Sequence, residues 1–484
     1  MKDGVHTDLA LHSDAFRGYV YDPSIISGIV AFVDVMAILS AAVICYAFQI
    51  SYNHNTVEYY ASCAVFVAFA YSVLAHRARM YDVSSIMNPY SQSDGLALCL
   101  LTAFFFFFAL VFSLKVSDIY SRIWIYSFGA SSFAGLMTTR LIGYYIFRRL
   151  SKKNLIGRNV VVLGAGEQGR QLLARHAQTS TYFVSIVGVF DDDQQRIGQD
   201  VEGYPILGNL DSLVAHVRER RIDDVIISLP WSADKRVAET VERLRELPVN
   251  IYLSADLAGF QLKFRPAPGH FRQLPMFEIV ERPLSGWAVV AKMIEDYVLA
   301  CIIAILLMPL FAVVAIAIKL DSPGPVLFRQ KRLGFNNQTF SIYKFRSMHC
   351  HEEAPDARTR QATLHDPRIT RVGRFIRRTS IDELPQIFNV LNGTMSLIGP
   401  RPHALDHNED FAREVRGYFA RHRVKPGLTG WAQVNGLRGE TDTLEKLKAR
   451  VEHDVYYIEN WSILFDIRIL VLTAFVVLFQ KNAY

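Results

Sequence analysis

Asp382 and Glu383 are adjacent carboxylates, set directly behind Arg377 and Arg378 and just ahead of an apolar run. An Asp-Glu pair can hold Mg2+, which takes one or two carboxylates together with substrate phosphates. Arginine forks grip phosphate groups bidentately. The pair falls where a helix should begin, and a helix N-terminus favours carboxylate and phosphate alike. A plainer role stays open. Ser380 with Glu383 three residues later matches a capping box, and Pro385 suits only a first helical turn. Taken alone, that pattern favours capping.

The neighbouring motifs raise the phosphate reading. Asp321-Ser322-Pro323-Gly324-Pro325 leads into Arg332, and Tyr343-Lys344-Phe345-Arg346 follows. Further on stand Asp366 to Gly373, Met395 to Pro402 with its Pro400-Arg401-Pro402, and Lys425-Pro426-Gly427-Leu428-Thr429-Gly430. Together these resemble the polyprenyl-phosphate hexose-1-phosphate transferases, also called monotopic phosphoglycosyl transferases. The resemblance runs in register over roughly the last two-fifths of the chain, and the front is similar to that of the large, multi-domain members.

The resemblance implies a reaction in which a UDP-sugar and undecaprenyl phosphate give an undecaprenyl-diphosphate sugar and UMP. It implies that Asp382 is a nucleophile forming a phosphosugar ester, with Glu383 helping to hold Mg2+. Asp382 and Glu383 would then be the metal ligands. Arg332, Lys344, Arg346, Arg377, Arg378, Pro400, Arg401 and Pro402 would bind substrate. Glucose or galactose 1-phosphate is the usual cargo of this layout, as the first membrane step of exopolysaccharide, capsule or O-antigen synthesis. Such chemistry needs charge neutralisation and alignment more than proton transfer. Three positions depart from the family: Thr394 replaces an acidic residue, Met308 a serine before Pro309, and Asn337 a glycine. Asn tolerates the left-handed backbone, so that last turn can survive. His349, His351, His403 and His407 lack the pairing of a metal site.

The elements that must position these residues begin with membrane segments. Of 484 residues, 51% are hydrophobic and 20% charged, which points to a membrane protein. A length of this order suggests about three domains. The net charge of +6 concentrates in the second half, suiting anionic substrates or a lipid surface. No nucleic-acid-binding motif is present. The five cysteines form no C-x-x-C pattern, which fits reduced cytoplasmic domains.

Residues 1–24 are polar, and no cleavable signal peptide is expected. Four apolar runs, near 25–50, 57–75, 96–114 and 123–147, predict a four-helix transmembrane bundle over 1–150. Arg77 and Arg79, then Arg148, Arg149, Lys152 and Lys153, place both ends of that bundle in the cytoplasm. Asp34 and Arg140 fall inside spans, as a buried interhelical pair or as functional groups.

Residues 151–257 predict a half-size Rossmann-like module. A strand at 159–163 leads into Gly164-Ala165-Gly166-Glu167-Gln168-Gly169, with Asp191-Asp192-Asp193 about twenty residues on. Gly164, Gly166 and Gly169 are candidate nucleotide-binding residues. Docking or dimerisation is the favoured role, and a homodimer is the expected assembly. Pro266, Pro268, Pro275 and Pro283 mark 258–290 as a linker, and 291–484 is the catalytic domain.

Within that domain, Tyr297 to Leu320 is apolar, with Pro309 near its middle. It predicts either a straight crossing or a helix that enters and turns back. A crossing would put Asp382 outside, away from cytoplasmic nucleotide sugars, so re-entry is favoured and matches the family. Tyr456 to Phe479 predicts a helix lying in the membrane interface. The expected whole is a membrane α-helical bundle, an α/β Rossmann-like module and an α/β monotopic catalytic domain with a re-entrant membrane helix. It would sit in the bacterial inner membrane with its site on the cytoplasmic face. A polysaccharide-export subunit and an NAD-dependent sugar-nucleotide oxidoreductase are the alternatives. Neither uses the whole chain.

Overall fold

The computed structural model describes residues 22–49, 54–152, 157–178, 184–230, 233–254, 276–349, 366–437 and 443–479. Residues 1–21, Lys153, Pro266, Pro268, Pro275, Cys350, His351 and the side chain of His407 lie outside the described set. The chain divides into two compact units, the amino-terminal helices and the part from Arg158 onward.

The first unit is built from the helices Pro23–Gln49, His54–Arg77, Pro89–Ser113 and Arg122–Lys152. Among the described residues, four helices are long and apolar enough to cross a membrane: Ser24–Gln49, Val57–Arg77, Pro89–Ser113 and, in the second unit, Gly286–Asp321. The expected fourth run of the bundle does form a helix, but it is not one of these four. Its many Ser and Thr residues and Arg140 dilute the apolar character. It still packs tightly, burying Trp124, Phe128 and Leu136, and Gly135 lets it approach Ala37 closely. Asp34 and Arg140 form a fully buried ion pair at 2.7 Å. Tyr71 and Thr139 also donate to the Asp34 carboxylate, at 3.3 and 3.4 Å. The plainer of the two expectations for this pair therefore holds.

The second unit opens with a seven-stranded sheet. Its strands are β1 Arg158–Leu163, β2 Val184–Phe190, β3 Asp200–Val201, β4 Tyr204–Gly208, β5 Asp224–Ile227, β6 Asn250–Ser254 and β7 Met276–Val280. Their order is β3-β4-β2-β1-β5-β6-β7. The central strands run parallel, and β3 and β7 pair antiparallel at the ends. Parallel strands are covered on both faces, so β1 and β5 read as unbroken apolar runs. The expected linker therefore needs correction. Met276–Val280 is an edge strand, because the exposed side of β6 needs a partner for its backbone groups.

The helix Gly286–Asp321 follows, continuous through Pro309. Beyond it lies a hairpin of β8 Leu327–Leu333 and β9 Thr339–Phe345, in which Phe328 pairs with Lys344 and Arg332 with Phe340. Asn336 and Asn337 at its tip take φ of 52° and 58°, so the left-handed turn survives without glycine. The chain then runs through the helix Arg371–Arg378, the tight turn Ile381–Gln386 and the helix Ile387–Leu391. Two short strands, β10 Ser396–Ile398 and β11 Gly427–Thr429, pair in parallel. The helices Leu444–Glu459 and Ile463–Phe479 close the unit. One core joins Phe311, Val314 and Ile318 of the long helix to Ile342, Phe345, Ile376, Ile387 and Leu397.

Candidate active site

Asp382 and Glu383 lie in the turn Ile381–Gln386, which is wound as a 3-10 helix. The expected capping box does not form. Ser380 has φ of 56° and its side chain caps no amide. The preceding helix ends at Arg378, leaving too little chain for an extended N-cap residue. The Glu383 carboxylate turns the other way. Lys344 Nζ lies 2.9 Å from its Oε1. Arg401 spans both oxygens, Nη2 to Oε1 at 2.5 Å and Nη1 to Oε2 at 3.1 Å.

The adjacent carboxylate is treated differently. Among the described residues, none donates a hydrogen bond to Asp382. Burial pushes its carboxyl up to about 6, the Glu383 charge adds to this, and Lys344, Arg377 and Arg401 oppose it. For Glu383, burial acts in the same sense, but Arg401 and Lys344 outweigh it and hold that carboxyl well below the usual range. Environments that push two carboxyls apart assign them different work. Glu383 is a fixed anchor, and the Asp382 oxygens accept no hydrogen bond among the described residues.

Several residues hold this geometry. Asn389 is fully buried. Its Oδ1 accepts from Tyr343 N at 2.9 Å and its Nδ2 donates to Ser341 O at 2.7 Å, tying β9 and Lys344 to the chain that follows the dyad. Thr370 caps the helix that carries Arg377, accepting from Gly373 N at 2.9 Å. A Cβ on Gly373 would lie 2.0 Å from the Ser347 carbonyl, so that position must be glycine. Asp296 of the long helix accepts from Ser396 Oγ and Leu397 N, both at 3.0 Å, and so pins β10, which leads into Pro400-Arg401-Pro402. Behind that loop, Gly427 N donates to Pro400 O at 2.9 Å.

The expected substrate residues separate into three groups. Lys344, Arg377 and Arg401 surround the dyad, Arg377 through its field on Asp382. Arg378 is exposed beside them, and Pro400 and Pro402 flank Arg401. Arg346 is a correction. Its guanidinium is buried and donates to Ser322 O at 2.6 Å, Ser322 Oγ at 3.0 Å and Pro323 O at 3.0 Å. It ties down the end of the long helix, whose last carbonyls lack intrahelical partners. Arg332 stands apart from Lys344, although its backbone bridges Ala404, three residues after Arg401. It lies four ladder positions from Phe328, the partner of Lys344, which is about 13 Å along the strand. Its side chain donates to Gln330 instead, at 2.7 Å.

In the sheet module, Gly164 takes φ of 111°, and a Cβ on Gly169 would strike the Gly164 carbonyl at 2.1 Å, whereas Gly166 faces open space. Ala165 N, a phosphate-binding amide in loops of this kind, donates to Asp191 Oδ2 at 2.6 Å. The loop amide is therefore taken by the chain's own carboxylate.

Sequence reasoning missed Asp296, Asn389, Arg421 and Asp454. Asp296 had a usable signal, since with Lys292 it forms an i,i+4 charged pair heading an apolar helix. Arg421 and Asp454 had none, because they meet only in the fold, at 2.7 Å.

The chain is similar to known proteins. Residues 287–480 match the family described as bacterial sugar transferase, and residues 76–255 match a CoA-binding domain family. The chain is 38% identical over 373 residues, 76% of its length and 77% of the relative's, to the UDP-glucose:undecaprenyl-phosphate glucose-1-phosphate transferase of Xanthomonas campestris pv. campestris. It is 42% identical over 328 residues to the Escherichia coli (strain K12) protein of the same name, covering 68% of this chain and 69% of that one. It is also 49% identical over 177 residues to an Aeromonas hydrophila UDP-N-acetylgalactosamine-undecaprenyl-phosphate N-acetylgalactosaminephosphotransferase, covering 36% and 41% of the two chains.

Proposed function

The chain belongs to the bacterial sugar transferase family, and from that membership we propose that it transfers glucose 1-phosphate from UDP-glucose to undecaprenyl phosphate. The enzyme is an undecaprenyl-phosphate sugar phosphotransferase of the membrane. The observation that carries the finer reading is the division of labour in the dyad: Glu383 is clamped by Lys344 and Arg401, while Asp382 is left unbonded.

In this reading an Asp382 oxygen attacks the β-phosphorus of the donor. The bond to the UMP oxygen breaks and UMP leaves with that electron pair. An ionised oxygen of undecaprenyl phosphate then attacks the same phosphorus and displaces Asp382. Splitting one displacement into two lowers each barrier. Lys344, Arg377 and Arg401 neutralise the charge that gathers on the diphosphate, and the exposed Arg378 adds to it. An acceptor that is already ionised needs no strong base.

The dyad fits Mg2+. A carboxylate offers about four acceptor sites; three on Glu383 are filled, leaving one on Oε2, beside the unbonded Asp382. Asp382 and Glu383 would hold the ion, and its charge would help to neutralise the diphosphate.

Membrane placement follows from the same reading. Residues near both ends of the long helix engage one domain, Asp296 through Leu397 and Ile318 through the core. Its other face, including Ile302, Ile305, Leu306, Val313 and Ile316, is exposed and apolar. Both ends held by one domain support a segment that enters and leaves the membrane on one side, in this reading the cytoplasmic side, with the missing hydrogen bond at Pro309 as the place where the continuous helix would bend. The sheet module is read as a Rossmann-like accessory domain for docking or for a homodimer.

The test is UMP release from a panel of UDP-sugars with undecaprenyl phosphate and Mg2+. UDP-glucose is expected to be turned over fastest. Preference for UDP-galactose or an N-acetylhexosamine donor would change the sugar, and no UMP release from any donor would remove the reading.

A further inference from the structure

Arg421 is one of the most deeply buried charged residues of the second unit, with its side chain 1% exposed. Its Nη2 donates to the Arg401 carbonyl at 2.7 Å and pairs with Asp454 Oδ2 at 2.7 Å. Its Nη1 lies 2.7 Å from His403 Nδ1 and 3.3 Å from the Tyr418 hydroxyl. His403 can accept from it only as the neutral ring, and burial with the fields of Arg421 and Arg450 holds that imidazole well below its usual range. Tyr418 donates in turn to Asn408 Oδ1 at 2.8 Å. One guanidinium thus fastens the Arg401 backbone to a buried network that the reaction does not otherwise use.

Stability alone gives little reason for that arrangement. A buried ion pair is often no better than apolar residues of similar size, because desolvation offsets the attraction. Arg421 Nε has no partner of its own, which adds to the cost. What an apolar residue could not do is donate to the Arg401 carbonyl. That carbonyl belongs to the Arg401–Pro402 peptide. Pro402 restricts Arg401 to extended backbone, and holding this peptide fixes where the Arg401 side chain leaves the loop. The fork in turn decides how Glu383 sits, and thereby the field at Asp382.

We propose that Arg421 is a positioning residue for the transfer reaction: by holding the Arg401 carbonyl it aims the Arg401 fork at Glu383 and keeps Asp382 available. This rests on the reading of the dyad as the reacting centre. It adds a residue that touches neither substrate nor dyad and acts only through Arg401. A displacement of about 1 Å at such a fork can cost about a hundredfold in rate.

The experiment uses full-length enzyme in detergent with UDP-glucose and undecaprenyl phosphate, following UMP. Arg421→Lys is expected to lower kcat by about 10- to 100-fold with KM for UDP-glucose within about threefold. Combined with Arg401→Lys, it should add less than about threefold to the loss from Arg401→Lys alone, because both act on one fork. Arg421→Met with Asp454→Asn removes the ion pair without leaving Asp454 charged, and Arg450, which also faces Asp454, keeps its bond to the Leu437 carbonyl at 2.6 Å. The thermal transition of this double variant should stay near that of the parent while kcat falls as in Arg421→Lys. Multiplicative losses in the Arg401 and Arg421 pair, or normal kcat in the folded Met/Asn variant, would overturn the proposal and leave the dyad reading intact. Normal turnover by Arg401→Lys would instead remove the dyad reading, and the proposal with it.

Discussion

Arg401 grips both oxygens of Glu383, at 2.5 and 3.1 Å, and the residue one step before in the chain, Asp382, receives no such grip. Two chemically similar neighbours are thus given opposite tasks by which way each side chain leaves the turn. Several measurements separate this arrangement from simple helix capping.

Asp382→Asn should abolish transfer, by at least about a thousandfold, in a protein that folds and inserts normally. It should also be the more stable protein at neutral pH. The folded carboxyl titrates near 6 and the unfolded one near 3.8. The folded state therefore binds the extra proton between those values, and stability falls as pH rises through that window. Above it, the ionised Asp382 is a net cost that Asn lacks, about 1–2 kcal/mol. Thermal melts in detergent at pH 4 and pH 7.5 should show the advantage of Asn only at the higher pH. An Asn variant with near-normal turnover would contradict the nucleophile role.

The first half-reaction should report the same titration. Without lipid acceptor, the burst of UMP release should rise about tenfold per pH unit at low pH and level off above about 6. The upward sense follows because only the carboxylate attacks. Leaving out undecaprenyl phosphate removes the acceptor's own ionisation from the profile. A burst rate that is flat from pH 5 to 8 would mean that Asp382 ionisation does not limit the step.

Lys344→Met should do more damage than loss of a surface lysine. Glu383 would keep Arg401 but lose one of its two part-buried cations, leaving charge less compensated. About 2–3 kcal/mol of stability and a hundredfold in kcat/KM are expected to go. Lys331→Met, on the same hairpin and remote from the dyad in register, is the control and should be near neutral. Equal effects from the two lysines would argue against the clamp.

Asp296→Ala leaves Leu397 N without its acceptor, while Ser396 Oγ keeps the Ile398 carbonyl at 2.8 Å. An unsatisfied buried donor costs about 1–3 kcal/mol, and the loop carrying Arg401 should loosen. Reduced kcat with faster amide exchange at residues 396–402 is the expected signature. Unchanged exchange there would show that β10 does not depend on the membrane helix.

Topology is open to chemical labelling. In a background without native cysteines, Val290→Cys and Phe335→Cys should both be blocked only by a reagent that enters the cytoplasm. Labelling of position 335 from outside intact cells would mean that the segment crosses, and a site fed by cytoplasmic UDP-sugars would have to be abandoned.

Much of the protein was legible in its order of residues. Apolar runs mark membrane helices because hydrocarbon demands about twenty such residues. The glycines of the sheet module and Asp382-Glu383 with its surrounding motifs are also local patterns, and local patterns suffice to name the elements and the family. What they left undetermined is which charged group meets which. Arg346 and Lys344 are two residues apart in one motif, so both were read as phosphate ligands. Yet Arg346 is buried against Ser322 and Pro323, while Lys344 reaches Glu383. Ser380 and Glu383 have the spacing of a capping box, yet the turn they enter is too tight to form one. Met276–Val280 became a strand only because β6 needed an edge partner. Arg421 reaches Arg401 across twenty residues of chain, and no periodicity encodes that contact. Burial and pairing energies depend on distances between side chains far apart in sequence. The residue types alone could propose an anionic reaction, but only tertiary packing decided that Glu383 is held and Asp382 is free.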